Sequence, residues 1–342
     1  MPRVALVTGV SRHLGSVVAR ELSQRAEFDR VIGVDVVEPE ADLGTTEFIR
    51  ADIRNPIVEK AIRGVDTVVH MGVIATPEAA GGRSVMKEIN VIGTMQLLAA
   101  CQRSESISRV IIKSSASVYG AGPKDPAMFT EAMDPRHVPT RGWAKDNVEV
   151  EAYVRGFSRR RPDVGVTTLR FANIIGPEIR TGITDYFSMP LVPTILGHDA
   201  RMQFVHETDS VNAMVHASVA NVKGTFNVAG DGVLMLSQAI RRAGRPNIPV
   251  LASLMPAAGR VAKSLGLVDF SAEQVRFLTW GRALDTTRMR EVLGFEPQFT
   301  TVEAFDSFID AHDLHALLTP DRAAVIEAQV IDLFSKAGDG RD

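Results

Sequence analysis

A hydroxyl, an ammonium and a guanidinium stand at spacings that raise a question of proton chemistry. Ser115 ends the apolar run RVIIKSS, Lys145 follows thirty residues later, and Arg141 lies four residues before that lysine. A serine hydroxyl can hold a reacting oxygen, and a lysine ammonium can bind hydroxyls or lower a neighbour's pKa. Such a pair reads as two parts of a three-part redox site whose third member should be a tyrosine. Arginine cannot replace it as a base, because guanidinium keeps its proton at any ordinary pH.

These groups need a frame to hold them. The runs RVALVTG, RVIGVD, TEFIRAD, DTVVHMG, RVIIKSS and GVTTLRFAN read as near-continuous apolar strands, of the kind buried on both faces of a parallel sheet. Between them LGSVVARELSQRAEF, IVEKAIRG, SVMKEINVIGTMQLLAACQRS and KDNVEVEAYVRGFSRRR carry helical spacing. The alternation predicts an α/β, Rossmann-type doubly wound parallel sheet over residues 1–172, rejoined by 204–228. Residues 173–203 and 229–330 should form a smaller C-terminal substrate-binding lobe, and 331–342 a frayed tail.

Composition narrows the partners. With 342 residues, 45% hydrophobic and 23% charged, the chain suits a globular protein with a substantial core. Its net charge of −3 gives no bulk pull toward nucleic acid, which favours a small-molecule substrate. MPRVALVTGV reads as a first strand rather than a signal peptide. The best membrane candidate, starting at Val250, is interrupted by Pro256, Arg260 and Lys263, so no membrane association is expected. A single cysteine, Cys101, fits a reducing cytoplasm and a thiol buried in a helix.

VALVTGVSRHLGSVVAR places strand, glycine turn and helix start in the order a dinucleotide site requires. Gly9 suits the tight turn and Gly15 the close helix packing, while the middle glycine is replaced by Arg12 or His13, depending on register. Asp35 follows Gly15 by twenty residues, where a carboxylate binds the ribose 2′-hydroxyl of NAD and repels a 2′-phosphate. Arg12 pulls toward NADP; Asp35 is given the greater weight.

Taken with TGVSRHLG, ADIRN, NVIGTMQLL, SSASVYG, LRFANIIGP, QFVHETDSV, GTFNVAG and LDTTRMREVLGFEP, these residues resemble the NAD-dependent epimerase/dehydratase family of extended short-chain dehydrogenase/reductases, typified by UDP-glucose 4-epimerase. The resemblance implies NAD as cofactor, held by Gly9, Arg12, His13, Leu14, Gly15 and Asp35. Asp52 and Ile53 would flank adenine, and Met71, Gly72 and Val73 would line the cofactor's middle. Asn90, Ser114, Lys145 and Phe171 would complete its site, with Phe171 near the nicotinamide. Ser115, Asn173 and Arg201 would meet the substrate, possibly a nucleoside diphosphate sugar. No metal is implied. The family exchanges hydride between a sugar carbon and nicotinamide, with tyrosinate taking the proton; Arg141 matches that tyrosine. Met202 stands where an arginine often clamps diphosphate.

The function implied is an atypical nucleotide-sugar epimerase/dehydratase-like oxidoreductase or isomerase; the alternative is a non-catalytic NAD-binding sensor or scaffold. Arg141 and Lys145, one helical turn apart, should form a cationic floor that depresses the lysine's pKa, so that Lys145 acts as base or the pair binds an anionic group. A homodimer is expected through SVMKEINVIGTMQLLAAC and KDNVEVEAYVRGF, with Val148, Val150 and Val154 as surplus apolar residues. Tyr119 and His70 read as structural, His137 as a solvent-facing loop residue, and His312 with His315 as a surface helix pair. The arginines of RGFSRRRPD read as cations at a helix C-terminus.

Overall fold

A computed structural model of the chain describes residues 3–55, 57–71, 74, 81–136, 138–251 and 272–314. Seven strands form one sheet: β1 (Val4–Thr8), β2 (Arg30–Asp35), β3 (Glu47–Arg50), β4 (Thr67–His70), β5 (Arg109–Ser115), β6 (Gly165–Phe171) and, further along the chain, Gly224–Val228. The order across the sheet is Gly224–Val228, β6, β5, β4, β1, β2, β3, and every pairing is parallel. Parallel order with apolar residues on both faces requires helices on both sides. Helix α1 (His13–Ser23) covers one face, contributing Val18, Ala19 and Leu22 to a core with Val7, Val69 and Ile111. The other face packs Leu6, Val68, Val110 and Ile112 against two helices that carry Leu97, Leu98, Val150, Val154 and Phe157. Strand order reverses between β1 and β4, which opens a crevice above Gly9 at the strands' C-terminal ends.

The long helix expected over SVMKEINVIGTMQLLAACQRS is broken into three parts. A turn at Arg83–Lys87 runs into a π-helical stretch, Glu88–Gly93, and then into α2 (Thr94–Arg103). The widened turn fits a close contact: a Cβ on Gly93 would meet Ile53 Cδ1 at 2.8 Å. Cys101 is buried in α2, and burial pushes its thiol up to about 12. The second long helix, α3 (Gly142–Arg160), spends Val150 and Val154 on the chain's own core, and Val148 packs against the opposite cluster. The valines are therefore not surplus, contrary to the expectation; Tyr153 is the large apolar side chain of α3 that stays exposed.

Beyond β6 the chain forms two-stranded ribbons around a second core of Tyr186, Phe187, Phe204, Phe305 and Phe308. Strand β7 (Asn173–Ile175) pairs with Phe204–His206, so that segment stays out of the large sheet. The following α4 (Glu207–Val219) packs on the α1 side of the sheet, and Gly224–Val228 extends the sheet beside β6. Among the described residues, no helix is long and apolar enough to cross a membrane.

Candidate active site

The turn after β1 has the shape a phosphate needs. Gly9 has φ +79°, in the left-handed region open to glycine. A Cβ on Gly15 would lie 2.0 Å from Gly9 O, so the helix start presses directly onto the turn. Helix α1 has no side-chain cap at its N-terminus, which leaves backbone N–H groups for an anion. Arg12 is its N-cap residue in extended backbone, half-buried, and its guanidinium is pulled down by burial and held up by Asp35. Asp35 ends β2 and accepts from Ser11 N–H (3.0 Å), Ser11 Oγ (2.6 Å) and Val36 N–H (2.7 Å). The carboxylate is thus fixed at the crevice edge, where it meets a ribose diol with acceptors and a 2′-phosphate with like charge. These donors and the glycine cradle fit NAD.

His13 and Leu14 open α1, with Leu14 packed on the core and His13 Nε2 3.6 Å from Glu207 Oε2. Burial pushes His13 down and Glu207 up, so both tend toward their neutral forms. Asp52 is held by Arg54, whose bonds keep its carboxyl below the usual range. Ile53 is buried against Gly93, and Met71 is buried beside the crevice. Gly72, Val73, His137 and His315 lie outside the described residues.

Three residues expected at the cofactor have side chains engaged by the protein itself. Ser114 alternates onto the α3 face of β5 and donates to Glu151 Oε1 at 2.6 Å. Asn90 is fully buried and brackets Ile74, accepting from its N–H (2.8 Å) and donating to its carbonyl (2.9 Å). It therefore shapes the loop after β4. Phe171, 1% exposed, is spent on the α1-side core.

Ser115 stands where β5 ends. Its Oγ accepts from Ser117 N–H at 3.1 Å, capping a short 3₁₀ turn and leaving its own proton free to donate outward. Helix α3 packs against that turn and brings Lys145 to the same end of the sheet. Lys145 is 41% exposed and lies 3.3 Å from Glu149 Oε1, so it is neither deeply buried nor without a counter-charge. Arg141 is exposed and precedes the helix: it is the N-cap residue with φ −144° and ψ 167°, and Gly142 has φ +68°. The expected shared helix face of Arg141 and Lys145 does not form, because the left-handed glycine separates them. The cationic floor built on that face is corrected with it.

Asn173 lies half-buried at the start of β7, and Arg201 reaches toward the loop after the 3₁₀ turn, donating to Pro126 O at 3.3 Å. Met202, its strand neighbour, is buried in the second core, as alternation demands. Tyr119 is structural: Arg170 Nη1 donates to its Oη (2.8 Å), which donates to Asn227 Oδ1 (2.8 Å). Arg170 also grips Glu151 through two bonds of 2.9 and 2.6 Å. His70 is buried between Thr8 and Thr94 hydroxyls, and burial pushes it down to about 4. Among the described residues no acidic, His or Cys cluster could hold a metal ion.

Reading the residues in order missed one group. Among the described residues Lys113, half-buried inside β5, has no hydrogen-bond or ion-pair partner, and loss of water foremost, then the nearby Arg12, pushes its ammonium down to about 8. Its only signal was a lysine within an otherwise apolar strand.

Comparison with known proteins agrees with this frame. An uncharacterized protein of Mycobacterium tuberculosis is 45% identical over 98% of this chain and 91% of its own. The UDP-glucose 4-epimerase of Mycolicibacterium smegmatis is 26% identical over 89% of this chain and 97% of its own. The structure of UDP-glucuronic acid 4-epimerase from Bacillus cereus in complex with UDP-glucuronic acid and NAD superposes with a TM-score of 0.69. It covers 91% of this chain and all of that one at 18% identity, a likeness of fold. The model of the NAD dependent epimerase/dehydratase family matches residues 5–229, from within β1 to the residue after the last strand of the large sheet. Every strand that frames the crevice lies inside that match, and the chain belongs to this NAD-dependent family.

Proposed function

We propose that the chain is an NAD-dependent oxidoreductase or isomerase acting slowly on a nucleotide-sugar, without the tyrosine that usually takes the proton. What supports this reading is the Ser115 hydroxyl, its proton free, at the C-terminal end of β5, together with the packing of the helix that carries Lys145 against the turn that follows. When bound, the cofactor supplies a hydride acceptor at its nicotinamide. The hydroxyl proton of the oxidised carbon would pass to water, Ser115 would donate to the reacting oxygen, Lys145 would hold ribose hydroxyls, and Arg201 and Asn173 would face the substrate from the second lobe. The UDP-sugars bound in the solved relatives support the substrate class.

Protein loaded with NAD and mixed with UDP-glucose or UDP-glucuronic acid should show a slow rise in absorbance at 340 nm. Lacking a general base, its rate should fall about 10²–10⁴-fold below an enzyme that has one. Lys145→Met should abolish the rise. A loaded protein that reduces no cofactor with any nucleotide-sugar supports instead the sensor reading, which the exposed, pre-helical Arg141 favours. A cytoplasmic homodimer through residues 84–101 and α3 is part of the proposal, suggested by the exposed Ile92 and Tyr153. Light scattering should give twice the chain mass; a monomer mass at micromolar concentration removes it.

A further inference from the structure

Among the described residues Lys113 has no counter-ion, and it stands half-buried near the C-terminal end of β5. Parallel register aligns Val7, Val69 and Ile111 on the α1 face of the sheet. Two residues further along each strand stand Gly9, Met71 and Lys113, with Leu169 paired beside the lysine. Lys113 therefore shares a face and a level with Gly9, two strands away, or about 10 Å at ordinary strand spacing. Its four-carbon stem covers more than half that gap. Helix α3, which brings Lys145, packs on the opposite face. Lys113 thus belongs to the phosphate side of the crevice.

A half-buried, unpaired ammonium is partly stripped of water, and an opposite charge at the crevice offsets that loss. Among the described residues the acidic groups at this crevice are engaged: Asp35 with Ser11 and Val36, Glu207 with Glu178 N–H and the His13 ring. We propose that Lys113 is a cofactor-binding residue of this chain, whose ammonium pairs with the diphosphate of the dinucleotide across from the N-terminus of α1. The inference rests on the NAD site described above and adds a side-chain cation to it. Arg12, standing where the family's middle glycine is lost, flanks the same anion from the other side.

The titratable and charged groups on the elements packed around this face include Arg12, His13, Arg20 and Glu21 of the first turn and α1, Asp35 of β2, His70 of β4, and Glu207, Asp209 and His216 of α4. Of these, Arg12 acts on Lys113, lowering its pKa after burial has done so. An anion binds the protonated form. Affinity should therefore be full below about pH 8 and fall as pH rises above it, up to tenfold per unit.

The test is calorimetric titration of wild type, Lys113→Met and Lys113→Arg with NADH, ADP-ribose and UDP. Loss of one charge-assisted bond should weaken NADH and ADP-ribose alike by about ten- to hundredfold in Lys113→Met and leave UDP unchanged. Because that variant removes a half-buried, unpaired charge, its thermal midpoint should hold or rise while affinity falls. Lys113→Arg should keep affinity at pH 7 and lose the decline above pH 8. Unchanged ADP-ribose binding in a folded Lys113→Met protein overturns the proposal and leaves the proposed function standing. A loss confined to UDP also overturns it, placing the lysine on the sugar nucleotide's diphosphate. Wild type that binds no NADH overturns both.

Discussion

Gly15→Ala should abolish measurable cofactor binding while most of the fold survives. The added Cβ would fall 2.0 Å from Gly9 O and 2.8 Å from Gly9 C, both backbone atoms that no rotamer change can move. Helix α1 must then back away from the turn, taking its free N–H groups with it. Losing two such bonds to a diphosphate costs on the order of a hundredfold or more in affinity. Overpacking should also remove about 1–3 kcal/mol of stability. Gly165→Ala is the control: its nearest neighbour is Ser108 O at 3.7 Å and its backbone is unrestricted, so binding should be unaffected. NADH fluorescence titration reads both, and Gly15→Ala binding within threefold of wild type contradicts the account of the turn.

The second large effect concerns Arg141. Arg141→Tyr alone should gain little activity, because residue 141 precedes the helix and Gly142 at φ +68° turns the chain between it and Lys145. Adding Gly142→Ala penalises that left-handed turn by roughly 1–2 kcal/mol, favouring extension of α3 through residue 141. No atom lies within 4 Å of the new Cβ, so the penalty is conformational rather than steric. The double variant should place the phenol one helical turn before Lys145 and raise turnover of a UDP-sugar about 10²–10⁴-fold over wild type. Equal gains in single and double variants would show that the pre-helical backbone does not matter. No gain in a folded, cofactor-bound double variant counts against the missing tyrosine as the limiting factor.

What could be read along the chain follows from what is local. The order β1, turn, α1 and the position of Asp35 depend on short covalent spacings and on glycines whose need shows in the positive φ of Gly9 and the crowding at Gly15. Ser115 could be placed near a strand end because the apolar run stops there. The destinations of side chains were another matter. Ser114 and Asn90 looked like ligand contacts, but whether they face the crevice depends on which sheet face receives α3 and on the path of the loop they hold. The separation of Arg141 from Lys145 hangs on one backbone angle at Gly142, which no residue pattern announces. Lys113 passed unnoticed for a similar reason: a lysine in a strand reads as an edge or a solvent contact until α1 and α4 are known to close over its face.

The central claim, that this crevice presents a nicotinamide to Ser115 with no phenol in reach, is tested most directly by a crystal structure of the protein with NAD bound. The account predicts the diphosphate over the start of α1 and opposite Lys113, the Lys145 ammonium on the nicotinamide ribose, and the Ser115 hydroxyl on the side of C4. A nicotinamide turned away from Ser115, or with C4 closed off by protein side chains, contradicts it.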